Sequence, residues 1–142
     1  MKIGRLVRDN NGVRERGQAM VEFALIIPIF LLLVFAIVDF GMGFHAWITV
    51  TNGAREGARI GAVGADAATI ETKVRDTSAS LDGANLGVTV TNAQGTPGDA
   101  VVVDVTYDYQ LITPLSSIMG FVSGNTLGPN IVFKSSSEMR LE

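Results

Sequence analysis

The stretch Ala19-Met20-Val21-Glu22-Phe23-Ala24-Leu25-Ile26-Ile27-Pro28-Ile29-Phe30-Leu31-Leu32-Leu33-Val34-Phe35-Ala36-Ile37-Val38 decides the fold. All of it is apolar except Glu22 and Pro28. Wound as a helix at about 1.5 Å per residue it is roughly 30 Å long, the thickness of a bilayer's hydrocarbon core. Such a segment argues against a simple soluble globule and predicts a transmembrane helix over 18–38. Pro28 withholds one backbone hydrogen bond, which membrane helices tolerate, so a harmless kink and a purposeful bend are both open.

On the N-terminal side, Met1 to Gly17 carries Lys2, Arg5, Arg8, Arg14 and Arg16 against Asp9 and Glu15, a net +3. The whole chain has a net charge of −3, so the remainder carries −6. Basic residues directly before a lone spanning segment stay on the cytoplasmic side, which sends residues 39–142 across the membrane. A basic patch beside an apolar helix, with an acidic remainder, fits orientation better than nucleic-acid binding, so no nucleic-acid partner is expected. The organisation expected is a basic leader over 1–17, the spanning helix over 18–38 and an extracytoplasmic domain over 39–142. The chain has no cysteine, which excludes disulfides, thiolate zinc sites and thiol chemistry, so the outer domain must be held by packing.

On the C-terminal side, Asp39 to Ala65 lacks proline and keeps apolar residues at helical spacings (Phe40, Phe44, Trp47, Ile48), so the helix is expected to continue outward. Gly53, Gly57 and Gly61 recur every four residues beside Ala54, Ala58 and Ala62, lining one side with small groups. Each helical glycine costs about 1 kcal/mol relative to alanine, a loss tolerated where close backbone approach returns more in contact. The stripe predicts close packing against another surface; a helix that frays near Gly61 or Gly64 is the alternative. Asp66 is placed to cap a second helix over Ala67 to Leu81, with Ile70, Val74 and Leu81 as its apolar stripe.

The period then changes from helical to alternating. Leu86, Val88 and Val90 form one strand pattern. After the turn signal Gln94-Gly95-Thr96-Pro97-Gly98-Asp99, Val101, Val103, Val105, Tyr107 and Tyr109 form a second. A short crossing over Thr113 to Gly124 leads to a third, with Ile131, Phe133, Ser135, Ser137, Met139 and Leu141 on one face. The fold class expected is α+β: one long helix, a second short one, and a small antiparallel sheet of about three strands whose apolar face the upstream helix covers.

The most informative cluster is Arg14-Glu15-Arg16-Gly17-Gln18-Ala19-Met20-Val21-Glu22-Phe23. A carboxylate inside an apolar run is costly without a partner. Either Glu22 snorkels to the interface, or a cut after Gly17 frees an α-amino group at Gln18, about one helical turn from Glu22 on the same or a neighbouring copy, and the pair offsets both burial costs.

Arg16-Gly17-Gln18-Ala19-Met20-Val21-Glu22-Phe23-Ala24-Leu25-Ile26-Ile27-Pro28, continuing through Asp39-Phe40-Gly41, resembles the N-terminal signature of TadE-like proteins, minor pilins or pseudopilins of tight-adherence (Flp, type IVb-like) pilus systems. The resemblance covers roughly Arg16 to Ala62, and Met42 stands where many relatives have arginine. It implies a pilin-like fold, Gly17 as the last leader residue, Gln18 as the first mature residue and Glu22 as the processing and assembly glutamate. The implied partners are a prepilin peptidase, other pilins, inner-membrane assembly machinery and lipid. The implied location is the inner membrane, N-terminus inside, with passage to an extracellular pilus after assembly. It implies a structural role without enzymatic activity or cofactor; the alternative is an uncleaved membrane protein whose outer domain docks pilus or secretion machinery.

Other candidates are weaker. Gly41-Met42-Gly43-Phe44-His45-Ala46 fits G-x-G-x-x-A but follows a membrane segment rather than a strand. His45, the sole histidine, supports neither a histidine-based triad nor a two-histidine metal site. Asp104 and Asp108 share a strand face and are weak calcium candidates, a solvated face being the ordinary reading. An ordinary signal peptide fits poorly, since its apolar core runs about 7–15 residues without an internal acid.

Overall fold

The computed structural model describes residues 11–123 and 130–142. Most of the leader's basic cluster (Lys2, Arg5 and Arg8) lies outside the described residues. The elements are α1 (Asn11–Ala62), α2 (Ala67–Thr77), β1 (Leu86–Thr91), β2 (Ala100–Gln110), α3 (Leu115–Ser123) and β3 (Asn130–Arg140), with a 3-10 turn at Gly83–Asn85 before β1. The fold is α+β: a long apolar helix, a shorter one packed beside it, and a three-stranded antiparallel sheet.

α1 is 52 residues long with Pro28 inside it. It already includes Asn11 to Gly17, within the stretch expected to be an aperiodic leader, because these residues hold no proline and a helix already nucleated propagates cheaply into them. It also runs past Gly61. Termination comes at Gly64, whose φ of +86° suits a residue without a Cβ. There the Gly64 amide donates to the Gly61 carbonyl (3.0 Å) and the Ala65 amide to the Ile60 carbonyl (3.3 Å), the pair of bonds that defines a Schellman stop.

α2 is capped as its sequence suggests: the Asp66 carboxylate accepts from the Thr69 amide at 2.9 Å. It is shorter than expected, ending at Thr77 rather than Leu81, because the Ser78 amide closes the last turn on Val74 and Arg75 carbonyls and the chain then bends. Ile70 and Val74 are buried, while Leu81 still packs partly against the core from the turn.

The sheet order is β1-β2-β3, antiparallel throughout. Leu86 faces Tyr107 across the first pair, and the second pair runs in register from Ala100 opposite Arg140 to Gln110 opposite Asn130. Alternation works as the pattern requires. Val101, Val103, Val105, Tyr107 and Tyr109 are buried on one face of the central strand, and the intervening residues are half-buried or exposed on the other. Fully burying a valine contributes roughly 1.5–3 kcal/mol, so this strand is the main apolar store of the domain.

α1 covers that face lengthwise. Val101 packs at Gly61, Val103 at Gly57 and Tyr109 at Gly43, so the strand runs antiparallel to the helix. The lengths agree: from Gly43 to Gly61 the helix rises about 27 Å, and from Val101 to Tyr109 the strand rises about 26 Å. The chain end closes the same layer, with Leu141 buried and the Glu142 amide donating to the Ala62 carbonyl at 3.0 Å.

Candidate assembly site along the first helix

α1 passes through two environments, and its side chains divide accordingly. Through the apolar run the large groups point outward: Phe23 is 63% exposed, Leu25 68% and Ile29 70%. Among the described residues this is one helix long and apolar enough to cross a membrane. Its entrance holds Gly17, Gln18 and Glu22. Gly17 has open space around it, with no neighbouring atom within 4 Å of where a Cβ would stand. One turn on, the Gln18 side-chain amide donates to the Glu22 carboxylate at 3.1 Å, so helical spacing alone places position 18 against this acid.

From Asp39 the buried positions are Asp39, Gly43, Ala46, Val50, Gly53, Ala54, Gly57, Ala58 and Gly61, a run of three- and four-residue steps along one face. The larger neighbours Phe40, Phe44, Trp47 and Ile48 stay exposed. Small groups hold the interface because there is no room for more. A Cβ on Gly57 would stand 2.6 Å from Val74 Cγ2 and 3.1 Å from Val103 Cγ1. On Gly53 it would meet Ser78 Oγ at 2.8 Å, and on Gly61 it would meet Ile70 and Val101 at 3.0 Å. The surface packed against the three glycines therefore belongs to this chain's own α2 and β2.

The head of the stripe is Asp39, which the sequence reading passed over as a site. It is 2% exposed although it sits at the end of the apolar run. Its carboxylate accepts from the Ile112 amide (2.9 Å), the Thr113 amide (3.2 Å) and the Thr113 hydroxyl. Its backbone carbonyl accepts from the Tyr109 hydroxyl at 3.1 Å. Burial first, then the proximity of Asp39 and Tyr107, pushes the Tyr109 hydroxyl above its ordinary pKa, which keeps it a donor. Asp39 thus ties the exit of the apolar helix to the corner between β2 and α3, more than seventy residues away in sequence. The available signal was the small-residue stripe: stepped backward from Gly43, it lands on position 39.

The remaining candidates do not assemble into sites. Asp104 lies opposite Thr89 and Ser136, and Asp108 opposite Val132, on the outer face of the sheet. Four residues along a strand separate them by about 13 Å, too far to share an ion held at about 2.3–2.6 Å. No group of three or more His, Cys, Asp or Glu gathers as a metal site among the described residues. His45 is exposed within a continuous helix, without the strand–turn–helix that a nucleotide-binding glycine motif needs.

No curated protein and no solved structure gives a significant match to the chain. The helix itself is recognisable: residues 17–59, which include Glu22, Asp39 and the first two glycines of the stripe, match the family described as TadE-like protein, so over this segment the chain is similar to that family.

Proposed function

We propose that the protein is a structural, non-enzymatic component of a tight-adherence pilus, a minor pilin or pseudopilin that enters assembly after a prepilin peptidase removes residues 1–17. The observation that carries this reading is the TadE-like segment beginning at Gly17 on a helix whose apolar face is left uncovered by its own domain. In the inner membrane that face meets lipid; in a filament it meets other pilins. Since burial between helices gains little over lipid, close packing and polar pairing set the register. Cleavage after Gly17 places the new α-amino group on Gln18, within a turn of Glu22, where the pair stabilises both charges in an apolar bundle.

The test is N-terminal sequencing of the protein from cells carrying the matching peptidase. The expected first residue is Gln18, and Gly17→Ala is expected to block the cut. Because a Cβ at Gly17 meets nothing within 4 Å, this variant leaves packing intact, so loss of processing would report recognition rather than misfolding. Mature protein that retains Met1, with a fully functional Gly17→Ala variant, would instead favour an uncleaved membrane protein whose outer domain docks the machinery.

A further inference from the structure

Beyond the spanning run the sequence contains a second uncharged stretch: no charged residue occurs between Asp108 and Lys134. The structure places both described ends of this stretch level with the start of the outer part of α1. The Asp39 carboxylate holds the Ile112 and Thr113 amides, Tyr109 pairs with Ile131 across the sheet, and the Tyr109 and Phe133 rings, 5.9 Å apart, both lie over Gly43. These contacts build one tier of the domain from residues 39–47, the β2–α3 corner, the start of α3 and the start of β3.

The tier is apolar where a free surface would be polar. Ile112 is 63% exposed, Ile131 45%, Phe44 52% and Trp47 44%. Between α1 and the corner lies a groove of about 520 Å³ walled by Phe40, Phe44, Leu111, Leu115, Ile131 and Phe133. Its one charged lining residue, Asp39, is buried and bonded. On α1 the next charge is Arg55, about 24 Å further along the axis. Asp108 and Lys134, on the outer face of the sheet, mark the rim.

Continuity identifies the occupant. The exposed apolar face of α1 runs to Val38, and the tier begins at the next residue without an exposed charge between them. Headgroup layers add several ångströms beyond each side of the hydrocarbon core, and α3 begins beside Asp39, at that boundary. Phe44, about 7.5 Å beyond Asp39, stands at the outer edge of that layer, and Trp47, about 12 Å beyond Asp39, stands past it. We propose that this uncharged tier seats the outer domain on the bilayer surface, with α3 as a second, interfacial membrane contact. The inference rests on the reading that residues 19–38 span the membrane.

The absence of cysteine allows clean single-site labelling of the full chain in vesicles of phosphatidylethanolamine and phosphatidylglycerol carrying a lipid-borne fluorescence quencher. Fluorophores at Ile112→Cys and Ile118→Cys are expected to be quenched several-fold more than one at Ala68→Cys, which stands at the opposite end of the domain. A probe at Ile29→Cys reports the span itself. If the Ile29→Cys probe meets lipid while the Ile112→Cys and Ile118→Cys probes stay in water, the seat is refuted and the span stands; if the Ile29→Cys probe stays in water, both fail. Probes at the tier shielded from water yet untouched by the lipid quencher would mean that a second copy covers this face, which also overturns the proposal.

Discussion

Replacing Asp39 by alanine should loosen one corner of the outer domain before anything else. The side chain serves two backbone donors, Ile112 and Thr113, and the Thr113 hydroxyl. Hydrogen bonds to a charged group contribute about 1.5–3 kcal/mol each, and a buried donor left unpaired costs about 1–3 kcal/mol. The corner is part-buried, so water satisfies some of what is lost, and the hydroxyl is free to rotate to another acceptor; about 2–4 kcal/mol is the resulting cost. Asp39→Asn keeps the volume and one accepting oxygen, and should cost about half as much. The assay is amide hydrogen exchange on the full chain in detergent micelles, resolved by residue. In Asp39→Ala the Ile112 and Thr113 amides should lose most of their protection, while Val101 to Val105 change only by the global loss. Unchanged protection at Ile112 and Thr113 would refute the clamp, and so would a loss spread evenly over the sheet.

Gly57→Ala should destabilise the domain by up to about 2 kcal/mol in chemical unfolding, since overpacking at 2.6 Å from Val74 costs about 1–3 kcal/mol and improved helix propensity returns about 1. Gly17→Ala should not destabilise it at all, and a comparable loss in both would remove the packing argument. Hydrogen bonds from Arg59 outweigh the opposing effect of desolvation and, helped by the charges of Arg59 and Lys73, hold the Glu56 carboxyl at about 2, below its ordinary 4.5. A depressed carboxyl pKa contributes stability above pH 4.5 that fades as the pH falls towards 2, so the melting temperature of the wild type should drop more over that window than that of Glu56→Gln. The difference should shrink in high salt, and parallel curves at low salt would remove Glu56 from the account.

What was legible in the sequence followed from periods. The strands showed themselves because Val103, Val105, Tyr107 and Tyr109 alternate with Asp104, Thr106 and Asp108 on a sheet with one covered face, and α2 because Asp66 is a capping residue before an apolar stripe. The face of α1 was harder to read. Phe40, Phe44, Trp47 and Ile48 carry the large apolar signal there, yet the sheet approaches so closely that only Gly43, Ala46, Val50 and the later glycines fit beneath it. The large residues are left outside by the same constraint. The Asp39 clamp was not readable as a contact, because its partners are fixed by where the β2–α3 corner comes to rest rather than by any local spacing. The early end of α2 has a local cause that the apolar pattern concealed: Leu81 reaches the core from a turn as well as it would from a helix.

The division of α1 has a consequence for assembly. Between helices in a membrane or a filament, small residues are the usual means of close approach, and Gly53, Gly57 and Gly61 suggest such a seam. In this chain the seam is already filled, by Val74, Ile70, Val101 and Val103 of the same molecule. On the proposed reading a neighbouring subunit is therefore left with the exposed bulky face from Met20 to Val38. Substitutions at the glycines should then be read as effects on folding, and substitutions at Phe23, Leu25 or Ile29 as effects on membrane seating and packing between copies. The two classes should separate cleanly, the first in unfolding of the isolated chain and the second only where lipid or other pilins are present. The helix can serve both purposes because the small side chains belong to its own domain and the large ones to whatever surrounds it.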